Sequence, residues 1–464
     1  MREPDDIKYR QEIIQNLDVS MLVEAGAGSG KTTSLVDRML ALIASGKCTI
    51  DKMAAVTFTR KAAAELKGRF QIVLEKAHEQ EKDDEIRDRY QAALARLELL
   101  FAGTIHSFCA RLLRERPIEA ELDPAFEELE EDENLILRDR CWTEYLEGLH
   151  AEEAPLLKEI MELGLDPAEL IDTYRNLVLY PEVEVVGKRL EKPDFTRDKR
   201  LLEEYLERSW KALPRAVPDS GWDNLQALLR QTRLRCRHLD LNQDRNFIKV
   251  LSRFERSLKV TQNRWPTKGV ALAEQEAFNT FKQEVVIPSM ELWRNYCHYF
   301  LMELVVPAVA YFKDVREKSS LMNFHDLLLK AAALLRENPE VRHYFQERFT
   351  HILVDEFQDT DPIQAEVILY LTGDDLKQKS WRKLKVKPGS LFIVGDPKQS
   401  IYRFRRADID TYNEVKRIIK DSGGNIIPLT ANFRSLPPLC DWVNPIFKKN
   451  FRLRPHHINL SLRD

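Results

Sequence analysis

Cysteine is scarce and scattered in this sequence. Its six cysteines, Cys48, Cys109, Cys141, Cys236, Cys297 and Cys440, lie far apart, with no CxxC pair and no His-rich cluster. That excludes the usual zinc and iron–sulfur frameworks and fits a reducing cytosol. No run approaches the roughly 18 apolar residues that a membrane-spanning helix needs, and the opening MREPDDIKYRQ lacks the charged-then-apolar layout of a leader peptide. A cytoplasmic chain with no membrane partner is expected. Neither sign of charge dominates: 71 Lys and Arg against 75 Asp and Glu leave a formal charge of -4. A generally basic nucleic-acid coat is therefore excluded, while a local cationic groove is not. No fixed-period repeat is visible. What is present is a chain of 464 residues, 44% hydrophobic and 31% charged, enough for about three ordinary domains.

Short apolar runs, MLVEA at 21–25, MAAVTF at 53–58 and FAGTI at 101–105, each lead into a periodic or Ala-rich stretch. This is the strand-then-helix rhythm of a parallel sheet. It returns at HILVDE, 351–356, at SLFIVGD, 390–396, and at NIIPLT, 425–430, so two separated blocks build one sheet. Between them, from about Pro117 to Ser319, Leu, Glu, Arg and Lys recur at helical spacing and predict a helical insertion. The acidic run Glu127 to Glu133 reads as a solvated helix start. Arg230, Arg233, Arg235 and Arg237 alternate in LRQTRLRCRHLD, a spacing that scatters them around a helix rather than along one phosphate-facing stripe.

The chemistry concentrates at a few points. AGAGSGKTT, residues 25–33, is a Gly-rich turn between an apolar strand and a helix, the context of a phosphate-binding loop. Gly26, Gly28 and Gly30 let backbone amides close around phosphate oxygens, with Ala25, Ala27, Ser29 and Thr33 completing the loop. Lys31 neutralises the β/γ charge and Thr32 offers a hydroxyl to Mg²⁺. In HILVDEFQDTDPIQ an apolar strand ends in Asp355 and Glu356, facing the ligand crevice of a parallel sheet. Asp355 is expected to hold Mg²⁺, and Glu356 to orient and deprotonate the attacking water. VGDPKQSIYRFRRAD, 394–408, sets Tyr402 and Phe404 among Arg403, Arg405 and Arg406, the composition of a base-stacking platform beside backbone phosphates.

These segments, in this order, resemble the motifs of UvrD/Rep-like superfamily 1 DNA helicases, and their wording is nearest to the RecB/AddA-type recombination helicase–nuclease subunits. The loop has Ala25 where a literal phosphate-loop pattern has Gly, but AGAGSGKT is the form usual in this family. The resemblance implies further roles. Gln11 reads the adenine edge, Gln358 links nucleotide state to the DNA-facing elements, and Gln399 senses the γ-phosphate. In LTANFRS, 429–435, Arg434 reaches the γ-phosphate and Phe433 packs against adenine. Thr57, Phe58, Thr59 and Arg60 line the single-strand track, Thr104, His106 and Ser107 form the next DNA-contacting motif, and Phe404 stands where a stacking Trp is common, with Arg405 beside it.

The expected fold is α/β, a RecA-like P-loop NTPase sheet flanked by helices. Residues 1–116 and 320–424 form the first motor domain, 117–319 an all-α insertion, and 425–464 the start of a second RecA-like domain. Only thirty residues follow Arg434, so the family's fifth and sixth motifs are not in the sequence and a truncated helicase is expected. The leading expectation is an ATP- and Mg²⁺-dependent translocase or helicase on single-stranded DNA, in repair or recombination, with a second helicase or nuclease chain as partner. The competing reading is a nucleotide- and DNA-binding module with no autonomous activity. A small-molecule P-loop kinase is a distant third, having no use for Gln399 or Arg434.

Overall fold

The computed structural model describes residues 4–179, 187–403 and 406–450 and divides into two compact units, one built from both ends of the chain and one from Glu130–Ser319. In the first unit the strands are β1 (Met21–Ala25), β2 (Met53–Thr57), β3 (Phe101–Thr104), β4 (Glu127–Glu128), β5 (Leu321–Met322), β6 (His351–Val354), β7 (Leu391–Gly395) and β8 (Asn425–Leu429). Six of them form one sheet in the order β3-β2-β6-β7-β1-β8, with every neighbouring pair parallel.

Every residue of β2 and β7 is buried, as a parallel sheet covered on both faces requires. Successive residues feed opposite layers. Leu22, Ile352, Val354, Leu391 and Ile393 enter one core, with the helices Phe324–Glu337 and Pro362–Thr372. Met21, Val23, Leu353, Phe392 and Val394 enter the other. That second core is covered by the helices α1 (Ile7–Gln15), α2 (Lys31–Ala44), α3 (Arg60–Gln80) and α4 (Asp84–Leu94). A further helix, α5 (Ile105–Glu115), packs on the first core.

Helix starts follow local chemistry. The Thr59 side chain accepts from the Ala62 amide to cap α3, and Thr104 accepts from Ser107 to cap α5. Asn323 and Asp326 form a reciprocal capping box ahead of Phe324–Glu337.

The parallel sheet, its flanking helices and the helical insertion agree with the expected fold class, but two boundaries differ. The strand at 425–429, expected to open a second domain, lies parallel to β1 and completes the first sheet. The insertion begins at Glu130 rather than 117, because Glu127 and Glu128 pair with Leu321 and Met322 in a two-stranded ladder of the first unit. The acidic run is therefore part strand, and the helix starts only at Glu131, with Glu130 and Glu133 as its capping box.

The second unit, Glu130–Ser319, is helical among the described residues. Its core gathers Phe195, Tyr205, Phe254, Phe281, Trp265 and Trp293. The Asp223 carboxylate staples it, accepting from the Gln226 and Thr261 amides and, at 2.6 Å, from Trp265 Nε1. No helix among the described residues is long and apolar enough to cross a membrane.

Candidate nucleotide site and nucleic-acid interface

Beside β1 the sheet order reverses. From β1 the chain crosses to β2 on one side, whereas from β7 it passes over β1 to reach β8 on the other. The C-terminal ends of the strands form a ligand crevice at such a point, and here they carry the phosphate loop after β1 and the acidic pair after β6. Gly28 and Gly30 have φ of 77° and 85°, the left-handed region open to glycine. A Cβ on Gly28 would also lie 2.5 Å from Arg434 Cβ and 2.6 Å from Asn432 Oδ1. The loop closes on itself through Ser29, whose hydroxyl and amide both donate to the Gly26 carbonyl, at 2.7 and 3.2 Å. Lys31 and Thr32 then open α2.

Lys31 Nζ donates to Glu356 Oε2 at 2.6 Å, so the two motifs meet. Glu356 has φ of 53°, a conformation rare for a residue with a side chain and often found at functional sites. The same carboxylate oxygen accepts from Gln358 Nε2 at 2.8 Å. Gln358 is 2% exposed, and its Oε1 accepts from the Asp396 amide at 2.8 Å. Asp396 in turn accepts from Gln399 Nε2 at 2.6 Å, and the Ser400 hydroxyl donates to the Gln358 carbonyl. A continuous chain of contacts thus runs from the phosphate loop through the acidic pair to the segment that carries Tyr402. Burial, reinforced by Glu356 and opposed by Lys31, pushes the Asp355 carboxyl up to about 6. Asp359 is likewise pushed up to about 6, by burial and then by Glu356.

Above the loop, the Phe433 amide donates to the Gly28 carbonyl at 2.8 Å, which lays Asn432–Arg434 across it. Phe433 is 64% exposed, with the Arg10 guanidinium 5.1 Å from its ring centroid. Arg10 also donates to the Ser29 carbonyl and pairs with Asp6. Burial disfavours the Asp6 carboxylate, but Arg10 and the Ala431 and Thr430 amides outweigh it and hold the group below its ordinary range. Gln11, next along α1, is exposed.

The expected DNA-facing residues separate into distinct environments. Phe58 and Tyr402 come together, ring centroids 5.1 Å apart and planes tilted by 30°, and Arg60 is exposed at the start of α3. Thr57 is buried and its hydroxyl donates to the Thr59 carbonyl, while Thr59 caps α3, so both hydroxyls serve the turn. Thr104 and Ser107 likewise bond each other at the start of α5. Phe404 and Arg405 lie outside the described residues.

His106 packs 5.2 Å from Phe324, and burial, with His325 nearby, pushes its pKa down to about 4. The ring is neutral in the folded protein near pH 7 but protonates around 6.5 in an unfolded chain. This residue therefore contributes stability that is present above about pH 6.5 and lost as pH falls through about 4, at most about 3 kcal/mol. Asp355 and Asp359, held up at about 6, pull the other way over this range in both proteins, so the expected result is a difference: between pH 6.5 and 4.5 the denaturant midpoint of the wild type drops relative to that of His106→Gln. Parallel profiles would contradict this assignment.

Sequence reasoning missed Asp6, Arg10, Asn432 and Asp396. Asp6, Arg10 and Asp396 act through one or two hydrogen bonds to residues distant in the chain, Asn432 through its close approach to Gly28, and none leaves a periodic signal. Adjacency to Gln11 and Gln399 was the one available cue for Arg10 and Asp396.

Comparison with known proteins gives concordant matches. The family model described as UvrD/REP helicase N-terminal domain matches residues 8–420. Among curated relatives, proteins named as subunits of an "ATP-dependent helicase/nuclease" are similar to this chain. The one from Exiguobacterium sibiricum is 30% identical over 92% of this chain and 38% of its own length. That from Enterococcus faecalis is 29% identical over 93% and 37%, and that from Latilactobacillus sakei 26% over 97% and 55%. The chain thus spans well under two thirds of these relatives.

Proposed function

The chain belongs to the UvrD/REP helicase family, and on that premise we propose that it is the ATP-hydrolysing motor portion of a DNA helicase or translocase that tracks single-stranded DNA in repair or recombination. The observation that carries this reading is the contact chain Lys31–Glu356–Gln358–Asp396–Gln399, because a motor needs its phosphate site mechanically joined to its track.

In this reading Gly26 to Thr33 cradle the triphosphate, with the amides of Gly28 and Gly30 and the Lys31 charge on its β/γ oxygens. Glu356 takes a proton from the attacking water, and Arg434 and Gln399 face the terminal phosphate. The adenine rests by Phe433, Arg10 and Gln11. The donor set also fits Mg²⁺. The half-buried Asp355 carboxylate is disfavoured as an anion by burial and by Glu356, a penalty that a cation beside it would relieve, and the Thr32 hydroxyl offers a second hard oxygen of the kind this ion selects. Magnesium bound there would neutralise charge on the transferred phosphoryl group.

Phe58 and Tyr402 supply the face on which bases stack, with Arg60 toward the phosphates. Directional movement requires a second motor domain closing on the first, contributed in this reading by further polypeptide or by a partner chain. The helicase/nuclease naming of the relatives makes a nuclease-bearing partner the chemistry to look for.

ATP hydrolysis by the 464-residue chain, measured with and without single-stranded DNA beside Lys31→Ala, tests the proposal. Turnover that DNA stimulates and Lys31→Ala abolishes is expected once a second motor domain is supplied. Background turnover under every condition, despite ATP binding, would favour the inert nucleotide-binding module. Phe58→Ala is expected to weaken single-strand binding by about 1–3 kcal/mol, the usual worth of one base–aromatic stack. Fluorescence anisotropy with a labelled oligonucleotide reads this out, and unchanged affinity would remove Phe58 from the track.

A further inference from the structure

We infer that Arg235, Lys249, Arg253 and Arg256, within the helical insertion, form a second anion site that takes a phosphate group. The four cations and Leu228 line a cavity of about 300 Å³. Arg253 is its half-buried centre. One terminal nitrogen, Nη2, donates to Gln231 Oε1 at 2.7 Å, while Nη1 is buried with no hydrogen-bond partner among the described residues. A buried donor left unpaired costs about 1–3 kcal/mol, so this guanidinium, which borders the cavity, gains by any small rotation that turns Nη1 toward an anion there. Among the described residues no carboxylate lines the cavity, and the nearest acid in sequence, Glu255, bonds Arg294 instead, at 2.8 Å. Burial, and then the proximity of Arg235 and Arg256, hold the Arg253 guanidinium below its ordinary range. That mutual repulsion is what a multiply charged anion relieves.

Helix ends explain only part of the cluster. Arg235 and Lys249 occupy the last turns of the helices Asn224–Cys236 and Asp244–Leu251, where the helix dipole favours cations. That accounts for neither the unpaired Arg253 nitrogen nor Arg256, which lies beyond the second helix. Two other arginines of the stretch are engaged elsewhere. Arg230 stacks 4.2 Å from the Trp222 ring and Arg233 4.1 Å from that of Trp210, and of these three it is Arg235 that lines the cavity. A phosphate group suits the set better than a carboxylate, since several oxygens carrying more charge can meet an Arg fork and its flanking cations together. The phosphate could belong to a nucleic-acid backbone or to a free polyphosphate.

The inference stands on the insertion and does not depend on the motor reading. Its test uses the full chain and the exposed pair Arg235→Gln/Arg256→Gln, with Arg253→Gln as a second variant. ATP hydrolysis in both should match wild type. The first arm titrates a labelled duplex of about 20 base pairs across salt concentrations. If backbone phosphates are the ligand, the log–log salt slope of the pair falls by about two, near 0.9 per lost phosphate contact. The second arm measures thermal protection by inorganic pyrophosphate in a Lys31→Ala background. Protection that disappears with the pair, while the duplex slope stays put, assigns a free phosphate. Should Arg253→Gln fail to fold, the surface pair carries both arms. An unchanged slope together with unchanged protection overturns the inference.

Discussion

Glu356→Gln is expected to bind ATP as the wild type does and to turn it over about 10²–10⁴-fold more slowly, the usual contribution of a positioned general base. The geometry makes this substitution informative. The Glu356 carboxylate is bonded by both Lys31 and Gln358, so in the proposed function it sits between the group assigned to phosphate charge and the group that leads toward Tyr402. Gln keeps the size and one acceptor oxygen, which preserves the positions of Lys31 and Gln358, but it cannot take a proton. It also removes the negative partner of Lys31, so ATP affinity should hold or rise. Single-turnover hydrolysis beside equilibrium binding of a fluorescent ATP analogue separates the two effects. Turnover within a few-fold of wild type would move the base elsewhere, and lost binding would make Glu356 structural.

The second large effect is on stability. Arg38 is fully buried on α2, and its two terminal nitrogens donate to the carbonyls of Ile13, Asn16, Leu17 and Val19, the first and last at 2.8 Å. The guanidinium also lies 4.9 Å from the Phe392 ring centroid. Burial pushes its pKa down to about 10, opposed by Asp18, so it remains charged at neutral pH. It fastens the end of α1 and the turn into β1. Arg38→Met fills much of the volume yet strands at least two buried carbonyls at about 1–3 kcal/mol each, a loss of roughly 2–6 kcal/mol against a typical total of about 5–15 kcal/mol. Denaturant titration at neutral pH reads the change. A loss below about 1 kcal/mol would mean that water reaches those carbonyls and that the arginine is not the fastening.

Arg38 also shows where legibility ends. The strands could be read because strands buried on both faces are apolar runs, and the phosphate loop could be read because its glycines and lysine are contiguous. An arginine amid the apolar residues of LVDRMLALI gives no sign that four carbonyls from α1 and the following turn converge on it. The position of β8 was hidden for a related reason. NIIPLT announces a strand, but which neighbour it joins depends on pairing with β1, about 400 residues away in the chain, and nothing in the segment encodes that. In the site, Lys31 and Glu356 could be picked out by residue type and position, and the structure brings the two together. A linking role for Gln358 was implied by the resemblance, whereas its contacts with Glu356 and Asp396 are visible only in the fold.

The short ladder in which Glu127 pairs with Leu321 and Glu128 with Met322 has a consequence for how the chain tolerates change. It brings together the two ends of the excursion that leaves the first unit, so the sheet closes its own hydrogen bonds and both cores whatever length of chain lies between them. The cost of holding the ends of such a loop together grows only logarithmically with its length, by about 0.6 kcal/mol per doubling. Glu130–Ser319 can therefore be lengthened, trimmed or re-surfaced while the contact that sets Lys31 against Glu356 stays in place, which makes this segment a replaceable attachment on a self-sufficient frame.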